Sequence, residues 1–181
     1  MDKAVEIRTE RLLLRRHRPE DLDDLVEYAN SPGFGHYGTY HTTRQEAEKL
    51  LDMILDATKW EQQGIPNFAV VLDGKVIGEV HLNRREEDKE NGRAEIVYSL
   101  SSHHWNKGLT TEAARAVMDW TFRTQDLNRI FAWCDPKNVG SWGGMEKLGM
   151  KREGLLRDHR LWNGEFRDQL YYGILRGEWK G

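Results

Sequence analysis

One segment past the middle of the chain decides the fold, because it joins an apolar strand pattern to an amphipathic helix pattern. It reads Trp105-Asn106-Lys107-Gly108-Leu109-Thr110-Thr111-Glu112-Ala113. A helix start exposes backbone N–H groups that have no partner inside the helix, and the helix dipole adds positive potential there. Gly108 lets the main chain approach a ligand closely, and Lys107 adds charge. The segment therefore predicts a binding site for phosphate groups.

The same residues also fit an ordinary strand-to-helix turn that binds nothing, and this alternative stays open on the pattern alone. Two common phosphate-binding patterns are absent: G-x-x-x-x-G-K-S/T and G-x-G-x-x-G do not occur here. A nucleotide-binding domain of another class is therefore disfavoured.

The patterns on both sides of this segment predict alternating strands and helices. Strands are expected at 6–16, 68–72, 76–83, 93–100, 129–134, 150–162 and 166–175. Helices are expected at 19–30, 110–124 and 138–148. A further helix should begin at a capping box formed by Thr42 and Gln45 and end near residue 63. Asp73-Gly74 and Asn163-Gly164 are typical hairpin turns, and 84–91 is expected to be a charged loop. The prediction is a layered α+β fold whose mostly antiparallel, mixed sheet of about seven strands has helices on both faces.

Composition narrows the class of protein further. The chain has 181 residues, of which 38% are hydrophobic and 31% charged, and its net charge is -3. These values predict a single globular domain over 1–181 and argue against a nucleic-acid partner. No apolar run is long enough to span a membrane, so no membrane partner is expected. With one cysteine, Cys134, a reduced cytoplasmic setting fits, and no histidine or cysteine spacing predicts a metal site.

Several motifs in order carry a resemblance to a known family. They are Thr9-Glu10-Arg11-Leu12-Leu13-Leu14-Arg15, Ala94-Glu95-Ile96-Val97-Tyr98-Ser99-Leu100, the segment at 105–113, and Asn138-x-x-Ser141 followed by Glu146-Lys147-Leu148-Gly149-Met150. Together they resemble the GNAT superfamily of N-acetyltransferases, in its RimJ/RimL-like branch of ribosomal-protein N-acetyltransferases and relatives. The sequence departs from the branch at Asn106 and Thr110, where glycine and alanine are usual.

The resemblance implies acetyl-CoA as substrate and CoA as product, with direct attack by an amine in a ternary complex. The strand before the segment would bind the pantetheine arm, and a main-chain N–H between Tyr98 and Leu100 would face the thioester oxygen. The implied cofactor-binding residues are Val97, Ser99, Leu100, Ser102, Trp105, Asn106, Lys107, Gly108, Leu109, Thr110, Thr111, Asn138, Ser141 and Lys147. Alternatives are that Asn138 is only a helix cap and Lys147 only a solvated lysine.

Three residues are candidates for proton transfer. The resemblance places Ser141 near the sulfur, where its hydroxyl could protonate the leaving thiolate. Glu79 and Glu95 lie on predicted central strands, where burial would raise the pKa of a carboxyl group and make it a base that acts through water. For each glutamate, a salt-bridged residue on an exposed strand face is the alternative. His81 and Asn83 share a strand face with Glu79.

The acceptor is expected to be a primary amine, either a protein N-terminus or a small molecule. The resemblance assigns the acceptor side to the first two helices, their connecting loop and the last hairpin. There Tyr37, Tyr40 and Trp162 either line a pocket or pack a loop, and the acidic residues Glu20, Asp21, Asp23, Asp24, Glu46, Glu48, Asp52, Asp56 and Asp158 would suit a cationic amine. A sensor module that binds acyl-CoA without turnover is the alternative function. The resemblance is also compatible with a homodimer.

Overall fold

A computed structural model describes residues 5–34, 43–56 and 66–181, and it contains one eight-stranded sheet. The strands are β1 (Ile7–Arg8), β2 (Leu13–Arg16), β3 (Phe68–Leu72), β4 (Lys75–Asn83), β5 (Arg93–Leu100), β6 (Arg129–Cys134), β7 (Lys151–Trp162) and β8 (Glu165–Leu175). The helices are α1 (Leu22–Ala29), α2 (Arg44–Leu55), α3 (Glu86–Glu90), α4 (Leu109–Thr124) and α5 (Val139–Lys147). Short 3-10 turns cover Pro19–Asp21, Ser102–His104 and Arg176–Glu178.

The strand order is β1-β2-β3-β4-β5-β6-β8-β7, and every neighbouring pair is antiparallel except β5 with β6. That parallel pairing covers three residue pairs, from Arg93 opposite Arg129 to Glu95 opposite Phe131. Beyond these pairs the two strands diverge, while β5 stays paired with β4 up to Leu100. The sheet is therefore open on one side of β5, next to the start of α4.

Helices cover both faces of the sheet. The larger apolar cluster joins α4 and α5 to the side chains on one face, such as Val80, Ile96 and Ile130. The smaller cluster joins α1 and α2 to the opposite face, through Ala69 and Val71. We call these the α4 face and the α1 face. Because side chains alternate along a strand, Glu79 and Glu95 belong to the α1 face.

The predicted fold class is confirmed, and three local details differ. The first predicted strand is two strands, because Thr9 closes a turn: its backbone N–H donates to Leu12 O at 3.0 Å. The expected charged loop contains α3, which is organised by buried Asp88 accepting from the Arg85 backbone and from Arg93. Both differences arise from hydrogen bonds across a turn, which hydrophobic periodicity does not predict.

The second helix is also shorter than predicted. It ends at Leu55, and the capping box uses Thr43 with Glu46, one position after the predicted pair. Thr42 and residues 57–63 lie outside the described residues. No helix in the described ranges is long and apolar enough to cross a membrane.

Both hairpin predictions are confirmed. Asp73 and Gly74 have φ values of 50° and 83°, and Asn163 and Gly164 have 48° and 80°. Positive φ at both central residues is what a type I′ turn requires. The second of these turns joins β7 to β8, whose α1 face borders the candidate site.

Candidate active site

The opening between β5 and β6 is the centre of the candidate site. Its closed end is the Glu95–Phe131 pair, the last one that the two strands make. Past this point, no strand among residues 5–34, 43–56 and 66–181 pairs with the edge of β5 that faces β6. Main-chain N–H and C=O groups on this edge are therefore available to an extended ligand. The start of α4 lies at the open end, because only residues 101–108 separate β5 from α4.

The loop before α4 is shaped by two residues with positive φ. Asn106 has a φ of 59° and Gly108 a φ of 76°, and Gly108 is the N-cap of α4 without a side-chain cap. Asparagine is among the residues that tolerate this conformation best after glycine, so Asn106 is a compatible replacement for the usual glycine. Thr110 lies inside the first helical turn, where positive φ is not needed. Neither departure from the branch pattern disturbs the loop.

Arg11, which lies in the turn between β1 and β2, holds this loop in place. Its Nη1 donates to Lys107 O at 2.9 Å, and its Nε donates to Glu112 Oε2 at 2.7 Å. Thr9 Oγ1 is 2.6 Å from Glu112 Oε1. Arg11 was part of a quoted motif, but its role depends on a contact that spans about half the chain. It is a positioning residue that sequence reasoning missed.

The opposite wall of the loop is held by Trp105. Its indole N–H donates to Leu100 O at 2.7 Å, which ties the loop to the end of β5. Lys107 Nζ donates to His103 O at 3.0 Å. The loop is therefore fixed at several points by side chains, while the first amides of α4, before Glu112, have no partner inside the helix.

Ser141 and Tyr98 meet on the α4 face of the opening. The two hydroxyl groups are 3.2 Å apart, and the Ser141 hydroxyl also hydrogen-bonds the thiol of Cys134. Burial raises the pKa of Tyr98 to about 12 and that of Cys134 to about 11, so both keep their protons at neutral pH. Ser141 thus lies among protonated groups that can donate to it.

Glu95 lies on the α1 face, at the closed end of the opening. It is opposite Asn83 on β4 and opposite Phe131 on β6. Burial raises the pKa of Glu95, and the charge of Arg85 with hydrogen bonds from Trp133 and Asn83 only partly opposes this rise. A carboxyl group with a raised pKa in an opening has the property that a general base needs.

Glu79 is on the same face, opposite Ser99. This places it four positions from Glu95 along the ladder, or about 13 Å at the rise of a strand. Its Oε2 accepts from Asn67 Nδ2 at 3.1 Å and lies 4.0 Å from Nε2 of buried His17. Burial lowers the pKa of His17, so this histidine is neutral at pH 7. Glu79 therefore belongs to a buried polar cluster away from the closed end.

Aromatic and basic side chains from the last strands complete the α1 face beside Glu95. Trp133 is opposite Tyr171, and the His159 and Tyr171 rings meet edge to face at 6.2 Å. Arg160 lies against the ring of Trp133. The Trp133 side chain also hydrogen-bonds Glu95, which joins the aromatic group to the carboxylate.

Comparison with known proteins identifies the family. The model of the acetyltransferase (GNAT) domain matches residues 11–151. The chain belongs to the GNAT acetyltransferase family. This acetyltransferase is 36% identical over 175 residues to the uncharacterized N-acetyltransferase p20 of Bacillus licheniformis, covering 96% of this chain and 97% of p20.

Two further matches support the family. A GNAT-family acetyltransferase structure from Bacillus anthracis superposes with a TM-score of 0.82 at 29% identity, covering 96% of this chain and 100% of that one. A ribosomal protein uS5-alanine N-acetyltransferase of Escherichia coli (strain K12) is 33% identical over 84 residues, covering 46% of this chain and 43% of that one. The chain is an N-acetyltransferase, and acetyl-CoA is its acetyl donor.

The remaining predicted cofactor residues of the acetyltransferase differ in burial and in which of their groups already have partners. Leu100 and Leu109 are buried in the core, and the Ser99 side chain hydrogen-bonds Tyr28, so main-chain groups are what these positions can offer. Val97 and Thr111 are half-buried. Ser102 uses its backbone N–H to donate to Ser31 Oγ at 3.0 Å.

Asn138 and Lys147 lie at opposite ends of α5. Asn138 is its N-cap, and its Oδ1 accepts from the Ser141 backbone at 3.2 Å. Lys147 is exposed in the last turn, where its carbonyl accepts from Arg115 at 2.7 Å. The structural role considered for Asn138 is therefore present, and it brings Asn138 next to Ser141.

Many acidic residues expected to attract a cationic amine are engaged elsewhere. Asp21 pairs with Arg15, both Asp23 and Glu48 lie near Arg44, and Asp24 accepts from the Val76 backbone at 2.7 Å. Tyr37 and Tyr40 lie outside the described residues. Within the described ranges, no group of three His, Cys, Asp or Glu side chains could hold a metal ion.

Proposed function

We propose that this acetyltransferase moves the acetyl group of acetyl-CoA to a primary amine by direct attack in a ternary complex. One observation carries the proposal: Ser141 and Glu95 lie on opposite faces of the same opening in the sheet. A thioester lying in the opening would have a proton donor on the α4 face and a proton acceptor on the α1 face. The donor substrate and the amine can then enter from different sides.

In this proposal the coenzyme binds mainly to the main chain. The amides of residues 106–111 bind the diphosphate at the start of α4, with Trp105 and Lys107 shaping the loop. The pantetheine arm extends along β5, from Ser102 toward Val97, and takes the place of the missing strand partner. Asn138 and Ser141 contact its thiol end, and Lys147 adds positive charge nearly two turns further along α5.

The chemistry requires one bond to form and one to break. The neutral amine nitrogen attacks the thioester carbon, and a backbone N–H between Tyr98 and Leu100 stabilises the negative charge on oxygen. The C–S bond then breaks, and the thiolate takes a proton from the Ser141 hydroxyl, which is hydrogen-bonded to Tyr98. Glu95 accepts the proton of the attacking amine through a water molecule and then releases it to solvent, and Ser141 regains its proton from solvent. The products are the N-acetyl amine and CoA.

The positions of the two glutamates favour Glu95 over Glu79 as the general base. Glu95 borders the point where β5 and β6 separate, whereas Glu79 is bound by Asn67 in a cluster with His17. Burial also raises the pKa of Glu95, which increases its strength as a base. Glu79 would then keep the acceptor side folded rather than move a proton.

The acceptor class includes protein N-termini and small amines. One relative of this chain is named for acetylating an alanine of ribosomal protein uS5. A protein N-terminus is a primary amine that could reach the α1 face as an extended chain. That relative supports the N-terminus of a protein as the first acceptor to test.

Release of CoA from acetyl-CoA, measured against an acceptor panel, tests the proposal. The panel holds short peptides with free N-termini, amino acids, polyamines and aminoglycosides, with N-terminally blocked peptides as the matched control. We expect CoA release with at least one free amine and background release with its blocked form. Tight acetyl-CoA binding without release on any amine would instead favour a sensor module.

A further inference from the structure

Arg160 on β7 is held between two indole rings at the acceptor side. Its Cζ lies 5.1 Å from the ring centre of Trp133 and 4.8 Å from that of Trp162. Both distances are within the range of cation–π contacts, and an arginine stacked in this way keeps its planar fork of donors in a fixed orientation. Arg160 is half-buried, so its neighbours do not enclose the residue completely.

A β-bulge sets this position. The β7/β8 register shifts between Leu156 and Arg160, and Asp158 within the shift has a φ of 49°. The Asp158 backbone N–H donates to Asp168 Oδ1 at 2.9 Å, which fixes the bulge. Bulges commonly re-aim side chains next to active sites. Here the bulge precedes the residue that lies over Trp133.

In the part of the chain that the structure describes, no neighbouring acid balances the charge of Arg160. Over residues 5–34, 43–56 and 66–181, no carboxylate lies within ion-pair distance of its guanidinium, whereas neighbouring Arg167 lies 3.4 Å from Asp135. The indole N–H of Trp162 is also buried without an acceptor among those residues. Among the described residues, the Arg160 guanidinium and the Trp162 indole N–H are therefore donors at this corner that lack an acidic partner and an acceptor, respectively.

Trp133 connects this corner to the candidate base. One side chain spans the two, because the Trp133 indole hydrogen-bonds Glu95 while its ring faces Arg160. An amine bound at Glu95 would consequently be separated from the Arg160 guanidinium by about the size of one indole ring. A group within one residue of the reacting nitrogen can cover that span, since consecutive Cα atoms are about 3.8 Å apart.

We propose that Arg160 selects amine acceptors that carry a carboxylate within one residue of the reacting nitrogen. The inference rests on the proposed function and adds a substrate class to it. Arginine binds carboxylates through two parallel hydrogen bonds, and the stacked position of Arg160 prepares this geometry. Two sources have this chemistry: a free amino acid, whose α-carboxylate adjoins its amine, and a peptide with Asp or Glu at its first or second position.

Matched acceptors that differ only in one carboxylate test the inference. The pairs are peptides with Asp or Asn, and with Glu or Gln, at position one or two, together with a free amino acid and its α-amide, such as alanine and alaninamide. We expect kcat/KM to be about tenfold higher for the acidic member, as a charge-assisted hydrogen bond allows. The peptide pairs and the amino-acid pair separate the two sources.

Variants then assign the preference to Arg160. Arg160→Gln should bring the two members of a pair within about twofold, by raising KM for the acidic acceptor and leaving the amide acceptor unchanged. Arg160→Lys keeps the charge but loses the parallel N–H donors of the guanidinium, so we expect kcat/KM to be about threefold higher for the acidic member of a pair. Arg152→Gln is the control: this exposed arginine is on the same hairpin, opposite Tyr172 of the α4 face.

The possible failures are distinguishable. Turnover of neutral amines without any gain from a carboxylate would overturn the role of Arg160 and leave amine acetylation standing. A preference that survives in Arg160→Gln, with CoA affinity unchanged in calorimetry, would also overturn it. If the wild-type protein releases no CoA with any free amine, the proposed function fails and this inference fails with it.

Discussion

The loop around Gly108 and the group of α1-face side chains around Glu95, which we call the pocket, are built in opposite ways. The loop is a run of consecutive residues whose ligand groups belong to the main chain, shaped by positive φ at Asn106 and Gly108. The pocket is a set of side chains from five strands, β4 to β8, including Asn83, Glu95 and Trp133. The first region can change side chains and keep its chemistry, whereas the second changes its chemistry with almost any substitution. Acceptor choice should therefore vary among relatives more than coenzyme binding.

The sharpest test of the pocket is Glu95→Gln, for which we expect the largest effect. The amide keeps the size of the side chain but cannot take a proton, so kcat should fall about 100-fold or more. Glu79→Gln on the same face is the matched control and should change kcat less than about threefold. Steady-state rates with saturating acetyl-CoA and acceptor measure both.

The pH dependence of kcat gives an independent check. A base acts only when deprotonated, so the wild-type rate should fall as the pH drops through the pKa of Glu95. Burial raises that pKa, so this decline should lie above about pH 4.3, the usual glutamate value. The decline should vanish in Glu95→Gln. A kcat that falls mainly in Glu79→Gln would transfer the role of base to Glu79.

The two regions also differ in how far the sequence predicted them. The loop was predicted because its signal is local: a strand pattern, a glycine and a helix pattern follow one another within residues 93–124. Asn106 counted as a departure from the branch pattern, but its φ of 59° shows that it keeps the same backbone shape. Local backbone chemistry can be read from neighbouring residues, so little of the loop was missed.

The pocket was predicted only in part. The period of two placed Glu79, His81 and Asn83 on one face, which the strand register confirms. It gave no information on which strand follows β5 in space, so the contact between Glu95 and Trp133 was missed. Arg160 was missed because a bulge at residues 156–160 changes the alternation. Long-range pairing and bulges are properties of the folded sheet, and a single sequence carries little signal for either.

Gly108→Asp tests the loop, with the next largest expected effect. A carboxylate at the helix start would repel the diphosphate and weaken CoA binding about 30-fold, or about 2 kcal/mol. A Cβ at this position would lie 3.7 Å from Arg11 Nη2, an ordinary contact distance, but the φ of 76° strains any side chain, and Asp and Asn share that cost. Gly108→Asn is the neutral control of equal size, and calorimetry with CoA measures both. Equal affinities for the two variants would show that the diphosphate does not bind here.

Asn106→Gly should have the smallest effect, because a main-chain site depends on backbone shape rather than on the side chain. Glycine relieves the cost of positive φ but gives the unfolded chain more freedom, and these terms oppose each other. We expect CoA affinity to stay within about twofold and the melting temperature to stay within about 3 °C. Asn106→Val is the contrasting variant: a β-branched residue at a φ of 59° should cost about 1–2 kcal/mol and weaken binding about fivefold. If Asn106→Gly lost as much affinity as Asn106→Val, the asparagine side chain itself would contact the coenzyme, and the contrast between the two regions would no longer hold.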